Sequence, residues 1–598
     1  LRYKQQSNAM LRNFLLRFAS FESANRLRSP HSKPVSALVT LILSNKMGCP
    51  LSTSSKVLQI SKKGPPNMTE SEEYVEDVVC KSSDVQENEA KVFDLRDVGK
   101  VLVVRQKGKL SALGAKCTHY GAPLQSSAVG DGRLRCQWHG ACFNIATGDI
   151  EDFPGLDSLP CYQVSVQDDN VTVRARRSEL ESNKRIKSMS KRDPNNNQHF
   201  VIIGGGPSGA VCAETLRQEG FQGKLTVVAK ERYLPYDRIK LSKVMDVPIE
   251  NLQLRASSFY ATYDIDFILD CEATKIDLDH KQISLKDGRS LNYDRVYVAT
   301  GSSPRKADIP GANLENVMVL RNYDQSSSIH ALLGPEKHVV VLGSSFIAME
   351  AAAYCVGKAA SVTVISRSSV PFEPVFGKEV GGALLKLFLE KEVKFFGESG
   401  IKSCAGDANG VLTEVELLDG SKLKADVLIM GTGSALNTQF LRESGVPVNG
   451  DGSVTVSEYL QTSVPNIFAG GDIANAPIWS HGNEHGFIGH YGLAQYHGKI
   501  AAMNMLNKGK VLKAVPFFWT MLFGKSVRYC GYGRFDSVVV RGDVDNFVFV
   551  AYFVKNEEVV SICASGMDPI VSKYAEYVFQ GNKLYKKDLG KDPFELLQ

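Results

Sequence analysis

Two short runs, Cys117-Thr118-His119 and Cys136-Gln137-Trp138-His139, restrict this chain more than any other feature. Each run supplies one thiolate and one imidazole, and residues 120–135 separate the runs. Two Cys and two His could bind one zinc ion, although such zinc sites usually pair Cys with Cys and His with His. The alternating order suits a [2Fe–2S] cluster in which one iron binds both thiolates and the other both imidazoles. We therefore predict four metal ligands, with zinc as the alternative: Cys117, His119, Cys136 and His139.

Segments with strand periodicity flank both runs, at residues 101–106, 109–114, 162–167 and 170–175. Phe153-Pro154-Gly155-Leu156 is predicted to form a third loop over the metal centre, because Pro stiffens the backbone and Gly permits close approach. The stretch resembles the Rieske family, whose pattern is C-x-H followed by C-x-x-H-G. This resemblance implies an all-β domain over residues 76–175 that holds a [2Fe–2S] cluster. It also implies that the imidazoles lie near the surface, where electrons would leave the cluster.

A glycine-rich turn follows an apolar strand at residues 201–203 and opens a predicted helix. In this turn Gly204 permits the tight bend, Gly206 lets the backbone approach a pyrophosphate, and Gly209 lets helix and strand pack closely. The pyrophosphate would lie at the helix N-terminus, where free N–H groups favour negative charge. Glu231 ends the next strand and is placed to accept a hydrogen bond from a ribose hydroxyl. The pattern indicates a dinucleotide site in an α/β domain.

Two later segments resemble motifs of the flavoproteins with two dinucleotide-binding domains. One ends in Thr300-Gly301, and the other ends in Gly470-Gly471-Asp472. The resemblance implies that the dinucleotide is FAD, that Thr300 and Gly301 lie against it, and that Gly471-Asp472 lies at its ribityl chain. A predicted helix at residues 490–503 resembles the helix whose N-terminus points at the flavin. Its positive dipole end would stabilise the anionic reduced flavin.

A second, poorer fingerprint follows the strand at residues 339–342. It keeps Gly343, but Ser345 replaces the glycine next to the pyrophosphate, and Ala348 replaces the third glycine. The acid expected at the end of the next strand is also missing, and Ser366-Arg367 stands there. An Arg at this place suits the 2′-phosphate of NADPH better than the bare ribose of NADH. We therefore predict a site for NADPH or NADH with a slight preference for NADPH. The alternative is a domain that binds nicotinamide nucleotides weakly or is purely structural.

Further segments narrow the family. Leu234-Pro235-Tyr236-Asp237-Arg238, followed by Leu241-Ser242-Lys243, resembles ferredoxin reductases of oxygenase systems and apoptosis-inducing-factor-like flavoproteins. The resemblance implies that Arg238 lies at the FAD, and that Lys243 pairs with Glu350 beside the flavin as the catalytic pair. It also implies that Trp519, in a small C-terminal domain, lies near the flavin. The chain thus resembles apoptosis-inducing-factor-like FAD/NAD(P) oxidoreductases with an N-terminal Rieske domain.

The length of 598 residues predicts several domains, and 43% hydrophobic with 23% charged residues is ordinary for a globular protein. The predicted fold class is multidomain. An all-β Rieske domain precedes a Rossmann-like α/β flavoprotein with a small α+β C-terminal domain. The predicted boundaries are a leader at 1–75, the Rieske domain at 76–175, a solvated linker at 176–198, an FAD domain at 199–324 and 456–511, an NAD(P) domain at 325–455 and the C-terminal domain at 512–598.

The first 46 residues contain eight Lys or Arg residues and one acid, Glu22. This composition is typical of a mitochondrial transit peptide, and we expect a mitochondrial protein. The alternative is a start at Met47, after which Gly48 and Cys49 fit an N-terminal acylation signal that would attach the protein to a membrane. A given start site allows only one of these two targeting signals. The sequence has no apolar stretch long enough to cross a bilayer.

The predicted function is an oxidoreductase that passes electrons from NAD(P)H through FAD to the in-chain [2Fe–2S] cluster and on to an unknown protein or small-molecule acceptor. The alternative is a cell-death or redox-signalling effector in which the cofactors are structural or sensory. A terminal Rieske oxygenase would need a 2-His-1-carboxylate iron site. His481, His485 and His490 instead fall within the flavoprotein region. No nucleic-acid partner is expected.

Overall fold

A computed structural model describes residues 73–597, which begin with a β domain. Its elements are β1 (Tyr74–Lys81), β2 (Glu89–Leu95), β3 (Gly99–Gln106), β4 (Lys109–Gly114), β5 (Ala128–Gly130), β6 (Arg133–Arg135), β7 (Cys142–Asn144), β8 (Ile150–Asp152), β9 (Cys161–Gln167), β10 (Asn170–Arg176) and α1 (Arg177–Ser182). The four strands predicted from periodicity lie within β3, β4, β9 and β10. Lys107 and Gly108 join β3 to β4 with positive φ at both residues (51° and 72°), as a two-residue hairpin turn requires.

The β domain consists of two sheets. Six strands form an antiparallel sheet in the order β1-β10-β9-β4-β3-β2, and β5 to β8 form a second sheet in sequence order. Buried residues of β6 and β7, including Leu134 and Phe143, share one core with Cys117 and Cys136. The second sheet therefore provides the base from which the ligand loops extend.

The segment at 176–198 is packed against the β domain, so the expectation of a solvated linker is wrong for its first part. α1 buries Leu180, and Asn183 ends the helix with a φ of 51°. The Asn183 amide then donates to the carbonyl of Lys116 at 2.6 Å. Backbone hydrogen bonds of 2.9 Å join Ser158 and Arg185 in both directions. Burial of Leu180 and the side-chain hydrogen bond of Asn183 explain why this largely basic segment packs against the β domain.

Two parallel-sheet units follow. The first contains β11 (His199–Ile203), α2 (Pro207–Gln218), β12 (Lys224–Val228), α3 (Ser257–Thr262), β13 (Asp266–Ile268), β14 (Ala273–Asp277), β15 (Gln282–Leu285), β16 (Ser290–Asn292), β17 (Arg295–Val298) and β18 (Ser302–Pro304). The second contains β19 (Val317–Val319), α4 (Tyr323–Ala331), β20 (His338–Leu342), α5 (Phe346–Cys355), β21 (Ser361–Ile365), α6 (Glu373–Leu389), β22 (Lys394–Phe396), β23 (Ile401–Gly406), β24 (Leu412–Leu417), β25 (Lys422–Lys424) and β26 (Val427–Met430).

The chain then returns to the first unit. The returning elements are β27 (Ser434–Leu436), α7 (Gln439–Glu443), β28 (Val454–Thr455), β29 (Ile467–Ala469), β30 (Ala474–Ile478), β31 (Glu484–Gly486) and α8 (Tyr491–Met505). The two parallel sheets have the strand orders β13-β12-β11-β17-β29 and β19-β26-β20-β21-β22. Because β19 pairs with β26, the second unit begins before the predicted boundary at residue 325. Because β27 pairs with β18 and Leu441 joins the first core, this unit ends before residue 455.

The C-terminal part is an antiparallel sheet with one helix. Its elements are β32 (Phe517–Leu522), β33 (Lys525–Gly531), β34 (Ser537–Asp543), β35 (Val548–Lys555), β36 (Glu558–Ser565) and α9 (Ile570–Phe579). Phe549 and Phe553 of this sheet share a core with the second parallel unit. Within residues 73–597, no helix has the length and apolarity needed to cross a membrane. The leader and the Gly48/Cys49 signal lie outside the described residues.

Candidate functional site

Two loops of the same backbone geometry carry the four predicted metal ligands. In the first loop the N–H of Gly121 donates to the carbonyl of Cys117 at 2.9 Å, and in the second the N–H of Gly140 donates to that of Cys136 at 3.1 Å. Both glycines have positive φ, 77° and 78°, which a residue with a Cβ adopts only with strain. Each loop therefore needs Gly four residues after its Cys, a spacing that both runs satisfy.

The two imidazoles converge on each other. Nδ1 of His119 lies 3.1 Å from Nδ1 of His139. Burial lowers the pKa of His119 to about 3 and holds the pKa of His139 well below its usual value. Both rings are therefore neutral at physiological pH, which is the form that binds a metal. Two neutral ring nitrogens at this separation fit two ligands of one iron.

The two thiols also pair with each other. A hydrogen bond between them raises the pKa of Cys117 and lowers that of Cys136. Among the residues that the structure describes, no three His, Cys, Asp or Glu side chains are placed to hold a single metal ion together. The arrangement is a pair of thiols and a separate pair of imidazoles. This division fits a [2Fe–2S] cluster better than the zinc alternative, in which all four ligands would surround one ion.

The third loop lies over the cluster site as predicted. A Cβ added at Gly155 would be 3.7 Å from the Cβ of His119. The Gly155 carbonyl also accepts a hydrogen bond of 3.5 Å from the side chain of Gln495 in α8. The loop therefore contacts both the first ligand loop and the flavoprotein part of the chain.

Aromatic residues enclose the imidazole pair. The Tyr120 ring stacks on His119 with a centroid distance of 3.6 Å, and the Trp519 ring lies 4.1 Å from the ring of His139. The Tyr120 hydroxyl donates to Asp237 at 2.6 Å. Because Trp519 and Asp237 belong to the flavoprotein part, the imidazoles face that part of the chain. Both imidazoles remain partly exposed, and the expectation that electrons leave the cluster on this side stays a prediction.

The first glycine-rich turn leaves room for a dinucleotide. Gly204 has a φ of 126°, and an added Cβ would lie 2.2 Å from the carbonyl oxygen of Ala299. An added Cβ at Gly209 would lie 2.0 Å from the carbonyl oxygen of Gly204. At Gly206, in contrast, no atom lies within 4 Å of the added Cβ. The two outer glycines are thus needed for packing, and the middle one faces open space where a pyrophosphate fits at the start of α2.

Gly206→Ala is therefore expected to lower FAD affinity at least tenfold without unfolding the protein, because the new methyl group enters the pyrophosphate space and meets no protein atom. The measurement is FAD content and dissociation constant, with circular dichroism for the fold. Gly209→Ala is the contrasting variant, because its methyl group would clash with the backbone and should lower the melting temperature as well. Equal loss of stability in both variants would contradict this assignment.

Acidic residues predicted to bind the FAD sugar groups are held by neighbouring donors. Glu231 accepts a hydrogen bond from Arg238 at 2.5 Å and another from the Tyr236 hydroxyl at 2.6 Å. Asp472 accepts hydrogen bonds from Ser302 at 2.9 Å and Arg321 at 2.6 Å. A carboxylate has about four lone-pair sites, so each can still accept a cofactor hydroxyl. Tyr236, Ser302 and Arg321 are contacts that the sequence reasoning missed.

The other predicted flavin contacts lie at turns next to these acids. The Thr300 hydroxyl donates to the carbonyl of Asn437 at 2.7 Å, and Gly301 follows with a φ of 66°. Gly471 also has positive φ, 69°, and its N–H donates to His497. α8 begins as predicted, with His490 as its N-cap. The buried Tyr491 hydroxyl and Gln495 Oε1 in α8 have no hydrogen-bond partner in the described chain, which is consistent with polar ligand atoms at this helix.

The predicted catalytic pair forms. Lys243 Nζ lies 2.6 Å from Oε2 of Glu350, which is buried. Two hydroxyl groups also donate to this carboxylate: Ser242 to Oε2 at 2.5 Å and Thr520 to Oε1 at 2.9 Å. Sequence reasoning missed both, and only the position of Thr520 directly after Trp519 could have drawn attention to it. Three donors from two domains therefore fix the orientation of the Glu350 carboxylate.

The second glycine-rich turn keeps the backbone form of a nucleotide site. Gly343 has a φ of 113°, and an added Cβ would lie 2.5 Å from the carbonyl oxygen of Gly431. Ser345 is exposed and is the N-cap of α5, so its side chain occupies the place of the missing glycine. The Ser344 and Ser366 hydroxyls hydrogen-bond at 2.6 Å. Arg367 is exposed beside them.

Comparison with known families agrees with this arrangement. Residues 76–163 match the Rieske [2Fe-2S] domain, and residues 198–498, half of the chain, match the family described as pyridine nucleotide-disulphide oxidoreductase. The chain belongs to the pyridine nucleotide-disulphide oxidoreductase family. As a member of this family it is an oxidoreductase that uses FAD and NAD(P)H, and its Rieske domain adds a [2Fe–2S] cluster. The predicted fold class and cofactors are confirmed.

Comparison with individual proteins shows which members of the family this chain is similar to. Apoptosis-inducing factor 3 of Mus musculus is 40% identical over 524 residues, which are 87% of this chain and 86% of that protein. The ferredoxin–NAD(+) reductase subunit of the benzene 1,2-dioxygenase system of Pseudomonas putida is 30% identical over 335 residues, 56% of this chain and 80% of the subunit. The solved covalent putidaredoxin reductase–putidaredoxin complex matches at a TM-score of 0.63 and 25% identity, covering 67% of this chain and 98% of that one. The resemblance to apoptosis-inducing-factor-like oxidoreductases with a Rieske domain is confirmed.

Proposed function

We propose that the chain is a self-contained electron-transfer enzyme in which FAD, reduced by NAD(P)H, supplies the chain's own [2Fe–2S] cluster. When bound, FAD would take up the two electrons of a hydride and release them singly, as a [2Fe–2S] cluster that takes up one electron at a time requires. The open side of the Gly204–Gly209 turn would receive the FAD pyrophosphate, Glu231 and Arg238 the adenosine end, and Asp472 the ribityl chain. The Glu350–Lys243 pair would orient the nicotinamide at the flavin.

The observation that carries this proposal is the position of Trp519. Its ring lies 4.1 Å from the ring of the iron ligand His139 and 6.4 Å from the ring of His490. His490 caps the helix that is predicted to point at the flavin. Trp519 thus lies between the imidazole side of the cluster site and the predicted flavin site. A transfer path within one chain follows from this contact.

Anaerobic addition of NADPH to the purified holoprotein tests the proposal. Visible spectra should show flavin bleaching first, and electron paramagnetic resonance should then show a reduced Rieske-type cluster at a rate independent of protein concentration. The concentration independence separates transfer within a chain from transfer between chains. Flavin reduction without cluster reduction would contradict the proposed path and would favour the effector hypothesis.

We further propose that NADPH is preferred through Arg367. The Arg367 side chain is exposed, and within residues 73–597 no hydrogen bond or ion pair engages it, so it is available for a 2′-phosphate. Arg367→Ala is expected to raise KM for NADPH about tenfold, consistent with the loss of one charge-assisted hydrogen bond, and to leave KM for NADH unchanged. Steady-state kinetics with both nucleotides measures this difference. Arg305→Ala is a control for loss of an exposed positive charge elsewhere on the chain. An equal effect of Arg367→Ala on the KM of both nucleotides would contradict the assignment.

For the protein's location we propose the mitochondrion, supported by the eight basic residues and one acid among residues 1–46. The outside acceptor is proposed to be a one-electron carrier, because a [2Fe–2S] cluster releases electrons singly. Fusion of residues 1–75 to a fluorescent protein tests the proposed mitochondrial location. Acylation at Gly48 would require a start at Met47, so plasma-membrane fluorescence only in a fusion that begins there would favour the membrane alternative.

A further inference from the structure

We propose that the Rieske domain (residues 73–182) stays docked on the reductase (residues 199–597) throughout turnover and closes this face to outside iron–sulfur proteins. The inference rests on the proposed function, because it concerns the partner that receives electrons from the flavin. That partner would be the chain's own Rieske domain and no other ferredoxin. An outside acceptor would then receive electrons from the cluster and not directly from the flavin.

A buried ionic cluster forms the centre of the contact between the two parts. Glu576 of α9 accepts hydrogen bonds from Arg135 Nε at 2.5 Å and from Arg133 Nε at 3.1 Å. Both guanidinium groups also bind Asp152 of the Rieske domain, at 2.5 and 2.6 Å. Arg135 and Glu576 are only 1% and 3% exposed. Arg133 also pairs with Glu151 of its own domain at 2.8 Å, so the two arginines share two carboxylates of the Rieske domain and one of the reductase.

The reductase also holds the backbone of the second ligand loop. The Ser572 hydroxyl of α9 donates to the carbonyl of Cys136 at 3.0 Å. Arg528 of β33 donates to the carbonyl of Trp138 at 3.1 Å. These are carbonyl groups next to, or of, the predicted iron ligands. The contact is therefore made by the same loop that positions the cluster.

A second ionic contact joins the Rieske domain to the FAD-binding part of the reductase. Arg255 of the reductase lies 2.8 Å from Asp157 of the Rieske domain and 3.1 Å from Glu214 of α2. Lys499 of α8 donates to the carbonyls of Ile150 and Glu151 at 2.9 and 3.2 Å. The Rieske domain is thus bound through C-terminal and FAD-binding elements at once.

Undocking would remove both arginine partners of the buried Glu576 carboxylate and would separate Asp157 from Arg255. Losing one member of a buried, hydrogen-bonded charge pair mainly speeds dissociation, and costs that reach a 100-fold change are ordinary. The same face contains Trp519, whose ring is covered by His139, and Phe517, which packs against Gly140. A separate ferredoxin would need this surface to come close to the flavin. The face is also acidic at Glu576, so it suits a domain that presents paired arginines.

A cleavable holoprotein tests the permanence of docking. A specific protease sequence is placed at residues 194–197, which are exposed except for the half-buried Asn196 and belong to no helix or strand. After cleavage, the two pieces are expected to migrate together in size-exclusion chromatography, with flavin and cluster absorbance in one peak. The cluster should also be reduced by NADPH at the rate of the uncut chain. Separation of the pieces at micromolar concentration would overturn the proposal.

Glu576→Gln in the cleaved protein identifies the cause. This variant keeps the size of the side chain but removes the reductase carboxylate that binds Arg133 and Arg135, so dissociation of the pieces is expected to become at least about 100-fold faster. Glu557→Gln is the matched control, because Glu557 is an exposed acid of the same C-terminal domain. Equal dissociation rates for the two variants would contradict the assignment of stable docking to Glu576.

The docking proposal and the proposed function fail with different experimental results. If the function fails, NADPH reduces no cluster in any sample, yet the cleaved pieces still migrate together. If only the docking proposal fails, NADPH still reduces the cluster of the uncut chain, and the cleaved pieces separate. In that case an added plant-type [2Fe–2S] ferredoxin should also accept electrons faster from the cleaved protein than from the uncut protein.

Discussion

Glu350→Gln is expected to slow reduction of the flavin by NADPH about 100-fold, which is typical for loss of one preorganised electrostatic group in an active site. The Glu350 carboxylate is buried and binds the Lys243 ammonium at 2.6 Å. Glutamine keeps the shape but removes the negative charge, so the ammonium loses its partner and its fixed direction. The measurement is stopped-flow absorbance of the flavin after anaerobic mixing with NADPH.

Three comparisons make this prediction specific. FAD content and reduction of the cluster by dithionite should not change, because neither depends on nicotinamide orientation. Thr520→Val should give a smaller loss, about tenfold, because it removes one hydrogen bond to a charged group, and Thr520→Ser should restore the rate. Glu336→Gln, on an exposed glutamate, is the control and should have no effect. A wild-type flavin reduction rate in Glu350→Gln would show that the pair is structural only.

The parts of the site that are local in sequence could be predicted. The glycine four residues after Cys117 and after Cys136 permits a backbone of positive φ, and both loops adopt it. The strand–turn–helix at Gly204 is likewise encoded in nearby residues, because Gly204 and Gly209 each avoid a steric conflict with the backbone. Such motifs specify backbone geometry over a few residues, and tertiary packing has little freedom to alter them.

Contacts between distant segments could not be predicted in the same way. Glu576 is one acid of an amphipathic helix in sequence terms, and only the fold places it between Arg133 and Arg135. The contact of the imidazoles with Trp519 could not be predicted for the same reason, since it depends on where the Rieske domain docks. The boundary at residue 325 was too late because β19 is only three residues long, and its membership of the second sheet depends on pairing with β26.

His139→Ala is expected to abolish the Rieske cluster and leave the flavoprotein active. Its Nδ1 is one of two neutral nitrogens held 3.1 Å apart, and the remaining ring of His119 cannot complete the ligand set alone. Replacement of a partner that only supports a metal ligand already costs about 10- to 100-fold in affinity, so loss of the ligand itself should cost more. Iron content and the paramagnetic resonance of the dithionite-reduced protein measure the loss.

The flavin distinguishes this outcome from misfolding. In His139→Ala the FAD content and the rate of flavin reduction by NADPH should match wild type, because Glu350 is held by Lys243, Ser242 and Thr520 and not by His139. Reduction of a one-electron protein acceptor should fall by at least the same factor as the cluster content. His280→Ala, on a histidine whose side chain is 81% exposed, is the control. Undiminished protein-acceptor reduction in a cluster-free His139→Ala protein would mean that electrons leave directly from the flavin, and the in-chain path would then be unnecessary.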